Sequence, residues 1–392
     1  MRDWIGELAA MLDAHRETER NQAEEDLMKL GSIAIPYLPA VSEDDSDEFR
    51  MRLERIRRLL LDRDEANIAT PSRVTLQGAM TGLQALESLS EQTGNELPLK
   101  NTIGLDKKIE LNIQGTLFWE SIDEVLDKLV LTIPPEESDR LRIVPRPAFL
   151  PQRVSLAAYA GSFRIEPVAM TKTQSLYTPD SNATSIDLAL SWEPRLNPVF
   201  VRYDLEGLEL RCDNGEVLRP KPNQGMDFTP IGSQLISTIQ FDRASRSARE
   251  IVEWRGRFVC AIPGKPVAVS FGDLVKARNS SSSKGDLKVT LERVRKNRDL
   301  YEALVAISIQ GDKTPDSIQG WTELIDAYLE DDSGNRIDHA GWSTTRITPK
   351  EIGLSFVFEA ERPLDAYRFV FVAPQSIVQQ TVEYELNGIP LP

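Results

Sequence analysis

Histidine and cysteine are almost missing from this 392-residue chain, which holds two of each: His15, His339, Cys212 and Cys260. So few ligands exclude a Cys/His zinc constellation within one neighbourhood, and any Ser-His-Asp triad must use one of two histidines. An excess of positive charge is missing too. Lys plus Arg number 46 against 61 Asp plus Glu, a formal charge of −15. A nucleic-acid binder needs a basic surface to displace counterions, and an anionic membrane repels an acidic protein, so both partner classes are disfavoured. Long apolar runs are missing: none approaches the roughly 20 residues of a membrane span, and no membrane insertion is expected. The chain holds no Walker loop, no G-x-G-x-x-G and no G-x-S-x-G. No catalytic residue, metal ligand or cofactor is expected, and the protein reads as a non-enzyme.

What is there is ordinary globular composition, long enough for two to four domains at about 100–200 residues each. Four modules follow one another: a helical segment over residues 1–66, a small α+β domain over 70–148, and two strand series over 152–276 and 287–392. The fold class expected is multi-domain and mainly β: an N-terminal α-helical segment, a βαββαβ domain, then two antiparallel, immunoglobulin-like β-sandwiches.

In the first module Trp4, Ile5, Leu8, Met11 and Leu12 recur at helical spacing. A second helix carries Ala23, Leu27 and Leu30 and stops at Gly31. A third runs from about Asp47 through Met51, Ile56, Leu59 and Leu60, with Ser46 or Asp47 as its cap. The acidic run Glu43–Glu48 reads as a solvated turn, since it lacks the alternating ligands and central glycine of a calcium loop. The pattern AEEDLMKLGSIAIPYLPAV…DEFRMRLERI resembles a HEAT-type helical repeat. It covers about one and a half repeats, too few for a solenoid, which makes it a cap or docking arm.

The second module alternates strand and helix. Arg73–Gly78 alternates as a strand, Thr81–Gly94 is an amphipathic helix, Glu96–Leu99 a short strand, and Lys107–Gly115 a strand burying Ile109, Leu111 and Ile113. Leu117–Leu129 is a second helix burying Trp119, Ile122, Leu126 and Leu129, and DRLRIVPR closes with a strand. The segment VTLQGAMTGLQALESLSEQTGNELPL…LDKKIELNIQGTLFWESIDEVLDKL resembles the short N-terminal domain of secretins and TonB-dependent receptors. The likeness rests on Ala85-Leu86, Gln92-Thr93-Gly94 and Glu120…Val125-Leu126-Asp127. It departs at Ile122 and Val125, where alanine is usual, and spans about 75 residues. The resemblance implies an extracytoplasmic protein-interaction module, and so a periplasmic location with a protein partner in the bacterial cell envelope. Met1-Arg2-Asp3-Trp4 carries no signal-peptide core, so the chain is expected to be a processed or truncated form.

Beyond residue 150 the helical period disappears. Ser162–Met170, Thr184–Trp192, Val199–Cys212, Leu235–Phe241, Arg257–Ile262 and Pro266–Phe271 read as strands of an antiparallel sandwich, with Asp213-Asn214-Gly215 as a hairpin turn. Ala277–Asp286, rich in serine, reads as a linker. Leu287–Lys296, Tyr301–Gln310, TELIDAYLED, IGLSFVFEA, YRFVFVAP and VQQTVEYEL form a second series. The two series resemble each other: Asp213-Asn214-Gly215 falls on Asp332-Ser333-Gly334, and RFVCAIPGKPVAVSF parallels RFVFVAPQSIVQQTVEYEL.

The candidate binding residues are few. Trp254 and Trp342 are conceivable aromatic platforms for a glycan, and His339 lies close to Trp342. Glu330, Asp331 and Asp332 are the best acidic cluster. A glycosidase needs two carboxylates facing each other across a cleft, and consecutive residues at a hairpin end do not supply that. A disulfide between Cys212 and Cys260 and two buried free thiols are both open. Three functions follow in order: a non-enzymatic interaction or structural protein of the envelope acting through domain surfaces and strand edges, a carbohydrate-binding envelope protein, and a glycan hydrolase.

Overall fold

The computed structural model describes residues 2–31, 34, 37–39, 45–100, 102–136, 141–155, 157–178, 182–222, 224–230, 232–284, 287–297, 300–309, 324–348 and 351–392. The expected features at Glu43, Asp44, Ile33, Ile35, Pro36 and Trp321 lie outside these residues. The chain divides into two compact units, Met1–Ile68 with Gly264–Val378, and Ala69–Pro263 with Gln379–Pro392. It is mainly β, with several antiparallel sheets and five α-helices among the described residues.

The helical part of the first unit comprises α1 (Arg2–Met11), α2 (Glu17–Leu30) and α3 (Asp47–Ile68). Ile5, Leu8, Leu12, Ala23, Leu27, Phe49, Leu53, Ile56 and Leu60 form one core. Trp4, Met11, Met51 and Leu59, expected inside, are exposed, and Phe49 and Leu53 take the buried face of α3 instead. Ser46 is the cap: its Oγ accepts the Phe49 N–H at 3.1 Å, worth about 1 kcal/mol.

The second unit opens with the α+β module: β1 (Arg73–Thr81), α4 (Gly82–Thr93), β2 (Lys108–Leu117), α5 (Phe118–Leu129), β3 (Leu131–Thr132) and β4 (Val144–Pro145). β1 and β2 pair antiparallel, as do β3 and β4. The strand expected over Glu96–Leu99 does not form. Pro98 has no N–H to give a ladder, while Leu97 and Leu99 pack singly against the module core. The order is therefore βαβαββ rather than βαββαβ.

The same unit continues through β5 (Ala158–Ala160), β6 (Phe163–Thr173), β7 (Ala183–Trp192), β8 (Phe200–Cys212), β9 (Val217–Leu218), β10 (Asp227–Phe228), β11 (Gln234–Phe241) and β12 (Glu250–Pro263). A four-stranded sheet runs β11-β7-β6-β5. A six-stranded sheet runs β10-β8-β12-β21, where β21 is Ile377–Leu386; β9 adds to β8, and β22 (Ile389–Pro390) adds to β12. The sheets face each other through Phe163 against Phe258 (ring centroids 5.2 Å apart) and Phe241 against Trp254 (5.7 Å).

The strands of the first unit are β13 (Pro266–Phe271), β14 (Arg278–Lys284), β15 (Leu287–Asn297), β16 (Leu300–Ile309), β17 (Asp326–Asp331), β18 (Arg336–Ile347), β19 (Ile352–Phe358) and β20 (Tyr367–Pro374). They form one eight-stranded sheet, β13-β20-β17-β18-β19-β16-β15-β14. It folds over its own core, where Phe356 and Phe358 of β19 meet Phe369 and Phe371 of β20.

Two expected boundaries change. The serine-rich segment is a strand, β14, paired along β15 from Arg278↔Arg293 to Lys284↔Leu287. An edge strand is held by its backbone and needs no apolar side chains. The second strand series also does not keep all its strands: β21 joins the sheet of β12, while β13 joins that of β20.

Candidate functional site

The most unusual chemistry in the molecule is a seam of buried charge that fastens the α+β module to β6. Helix α5 presents Asp123 and Asp127, one turn apart, on the side that also buries Trp119, Ile122 and Leu126. Strand β6 answers with Arg164 and Glu166, both almost wholly buried. Arg164 Nη1 donates to Asp123 Oδ1 at 2.8 Å, and Arg164 Nη2 lies 3.4 Å from Glu166 Oε1. Its guanidinium stacks over the Trp119 ring, 4.6 Å from the centroid, an arrangement that favours a desolvated cation. Arg153 pairs with Glu166, and its Nε donates to Thr132 Oγ1 at 3.1 Å. Arg146 donates to Asp127 at 2.9 Å, and the Tyr159 hydroxyl donates to Asp123 Oδ2 at 2.7 Å. Three arginines thus face three carboxylates. Burial pushes the Asp123 carboxyl up, opposed by Arg164 beside it, and burial followed by the charge of Asp123 pushes the Tyr159 hydroxyl up.

A second polar knot holds the other end of the module. Glu193, fully buried beyond the end of β7, accepts from the Ser72 N–H at 2.8 Å, Ser72 Oγ at 2.6 Å, Asn95 Nδ2 at 3.1 Å and Arg195 Nε at 2.7 Å. Asn95 in turn accepts the Arg195 N–H at its Oδ1, at 3.0 Å. Buried ions confer little net stability, but their loss is costly when one partner is removed, so they fix geometry. Both knots specify where the module sits on the β6–β7 sheet.

Fastened in this way, the module turns one face of its two-stranded sheet to solvent. Arg73, Thr75, Gln77 and Ala79 of β1 are exposed, as are Lys108, Glu110, Asn112 and Gln114 of β2. Among the described residues neither β1 nor β2 has a strand on its outer side. Strand β14 likewise ends its sheet, and it is exposed over nearly its whole length. Such edges are templates for an added strand.

The residues singled out from sequence are scattered. Trp254 is fully buried on β12, between Phe241 and Tyr384, so the glycan platform expected there is a core anchor instead. Trp342 stands on β18 opposite Phe356 and is 41% exposed. His339, on the same strand across a bulge, is half-buried with its ring 5.5 Å from Phe356. The Asp331 carboxylate accepts from the Ser333 and Asn335 N–H groups at 2.9 and 2.8 Å and from Asn335 Nδ2 at 3.0 Å, so it caps a turn. The Asn335 side chain, then these backbone donors, hold its carboxyl below the usual range. Cys212 and Cys260 are buried free thiols at opposite ends of one strand pair. Ile251 faces Cys212, so the thiols are separated by β12 from Ile251 to Cys260, roughly 30 Å at about 3.3 Å per residue. A disulfide needs Cα atoms within about 7 Å.

The charged seam was not anticipated. Phe163-Arg164-Ile165-Glu166 has the alternation of a half-exposed strand, which would put Arg164 and Glu166 in water. Here all four residues are buried. The available signal was on α5, where Asp123 and Asp127 fall on the face that carries Trp119, Ile122 and Leu126.

No protein-family model matches the chain, and no curated protein matches it. Among solved structures, it is similar to one described as the crystal structure of the conserved domain protein from Bacillus anthracis. That match has 11% identity over 61% of this chain and 91% of that one, at a TM-score of 0.19. A likeness of that size carries no assignment of fold or function.

Proposed function

We propose that the protein is a non-enzymatic interaction or structural component of the bacterial cell envelope, working in the periplasm or otherwise outside the cytoplasm. In this reading the α+β module is a relative of the short N-terminal domain of secretins and TonB-dependent receptors. The helical segment is HEAT-like, and the two β regions are immunoglobulin-like sandwiches. Its partner is another envelope protein, which docks on an open strand edge. The observation that carries the reading is the outer edge of β1, without a strand neighbour among the described residues on a module pinned by two buried polar knots. Pinning matters because a rigid edge loses less entropy when a partner strand is added. Cross-linking in the native cell, followed by peptide mapping, is expected to place an envelope protein on the module. Fractionation is expected to recover the chain outside the cytoplasm. Cross-links confined to cytosolic proteins would remove the proposal.

A second reading, carbohydrate binding, rests on Trp342, whose ring is partly exposed on β18 with Ile347 also exposed. It predicts hits on a glycan array that vanish with Trp342→Ala; an array without hits ends it.

A further inference from the structure

The sequence motif Gln92-Thr93-Gly94 does more than end a helix. Gly94 closes α4 in the left-handed region, its N–H donating to Ser90 O. One residue from the end of the helix, Gln92 reaches back to β1. Its Oε1 accepts the Thr75 N–H at 3.0 Å, and its Nε2 donates to Thr75 O at 3.1 Å. The Nε2 also donates to Ser88 Oγ at 3.0 Å, which orients the amide. In an antiparallel pair, a residue whose N–H and C=O both serve a group outside the ladder has them pointing away from its partner strand. Thr75, opposite Gln114, is such a residue. By alternation Gln77, Ala79 and Thr81 present their backbones to the same outer side. At the far end the Thr81 N–H is taken by Gln84 Oε1 at 3.0 Å, within the capping box of α4. Two glutamines of one helix therefore close the two ends of the β1 edge, and Gln77 and Ala79 lie between them.

The device is repeated. Lys128, penultimate in α5 as Gln92 is in α4, donates its Nζ to Glu110 O at 2.9 Å. Glu110 is the third residue of β2, as Thr75 is of β1. The two edges differ in chemistry. β2 carries charge at Lys108 and Glu110, which itself discourages pairing, whereas β1 has no charged residue from Val74 to Thr81 and relies on its glutamines.

We propose that Gln92 is an autoinhibitory guard on the β1 edge. Its primary amide makes the two hydrogen bonds, to the Thr75 N–H and C=O, that the C=O and N–H of one residue of an added antiparallel strand would make, and an extended partner segment must displace it to pair with Thr75, Gln77 and Ala79. This rests on the strand-edge reading of function and names its control. The occupant is an extended peptide backbone, because the group standing in for it is an amide that both donates and accepts.

The test uses the full chain, unchanged and as Gln92→Ala and Gln92→Glu. The probe is a synthetic peptide of the Lys108–Leu117 sequence, N-methylated on alternate amides so that it offers one edge only. Binding is read with residue-resolved hydrogen exchange. Relieving two competing hydrogen bonds is expected to tighten peptide binding by about tenfold in Gln92→Ala, with slowed exchange at Gln77 and Ala79. Gln92→Glu keeps the acceptor for the Thr75 N–H and loses the donor for Thr75 O, so it falls between. Equal affinity in all three proteins, or protection on β2 or β14 instead, overturns the guard. Native cross-links that map only to β14 would remove β1 as the docking edge even if the peptide result held, so the two failures are distinct.

Discussion

Gly256 of β12 shows how little room single positions have. A Cβ built there would stand 2.5 Å from the Tyr384 ring, which is itself buried against Trp254 and Phe258. Gly256→Ala should cost about 1–3 kcal/mol, since an aromatic ring locked in a core cannot step aside; urea midpoints measure this, and an unchanged midpoint contradicts the packing. The thiols make a second residue-level statement. Burial raises both Cys212 and Cys260, with Glu216 and Asp213 adding to it at Cys212. A thiol reagent at mild alkaline pH should label neither in the native protein and both in denaturant. Both thiol states had been open from sequence, because only strand register decides the distance. Trp254 and Trp342 were indistinguishable for a related reason: an aromatic in an alternating strand faces core or solvent according to which face is covered.

At the scale of elements, the helices were legible because their periodicity is written in buried side chains. So were the strands with one wet and one dry face, such as β2, β13 and β15. Two long strands were not, β14 and β18, with burial patterns nearly all exposed; polar and exposed side chains on both faces leave no hydrophobic alternation to read. β6 was legible as a strand but not in its environment, since α5 covers the side that would otherwise be wet. That covering yields a prediction for the charged seam. Arg164→Met leaves Asp123 and Glu166 short of a cation and should cost about 3–5 kcal/mol, whereas adding Asp123→Leu to Arg164→Met should recover part of the loss. A double-mutant cycle on denaturant unfolding measures the coupling; strictly additive costs would mean that the seam is not a pair.

For the whole molecule, the resemblance between the two strand series gains a topological parallel. β8, β12 and β21 lie side by side in one sheet, and β17, β20 and β13 in the other. In the sequence parallel β13 matches β21, so each series has its last strand in the other's sheet. The hairpins also correspond: Gly215 N–H donates to Cys212 O at 3.0 Å and Gly334 N–H to Asp331 O at 2.9 Å, with both glycines at positive φ, 84° and 81°. No sequence periodicity announces such an exchange, because strand pairing is settled by three-dimensional connectivity. The division into two compact units predicts two unfolding transitions, visible as different urea midpoints for amide exchange in β12 and in β20; one shared midpoint would contradict it. Above both stands the proposed docking of a partner strand on β1 outside the cytoplasm. A photo-cross-linking amino acid in place of Gln77, in the native cell, reports on that docking at the edge itself. A discrete adduct with an envelope protein is expected, and it should strengthen when Gln92→Ala is added. An adduct only with cytosolic protein, or none from Gln77 while the same probe at Ser282 of β14 gives one, would contradict it.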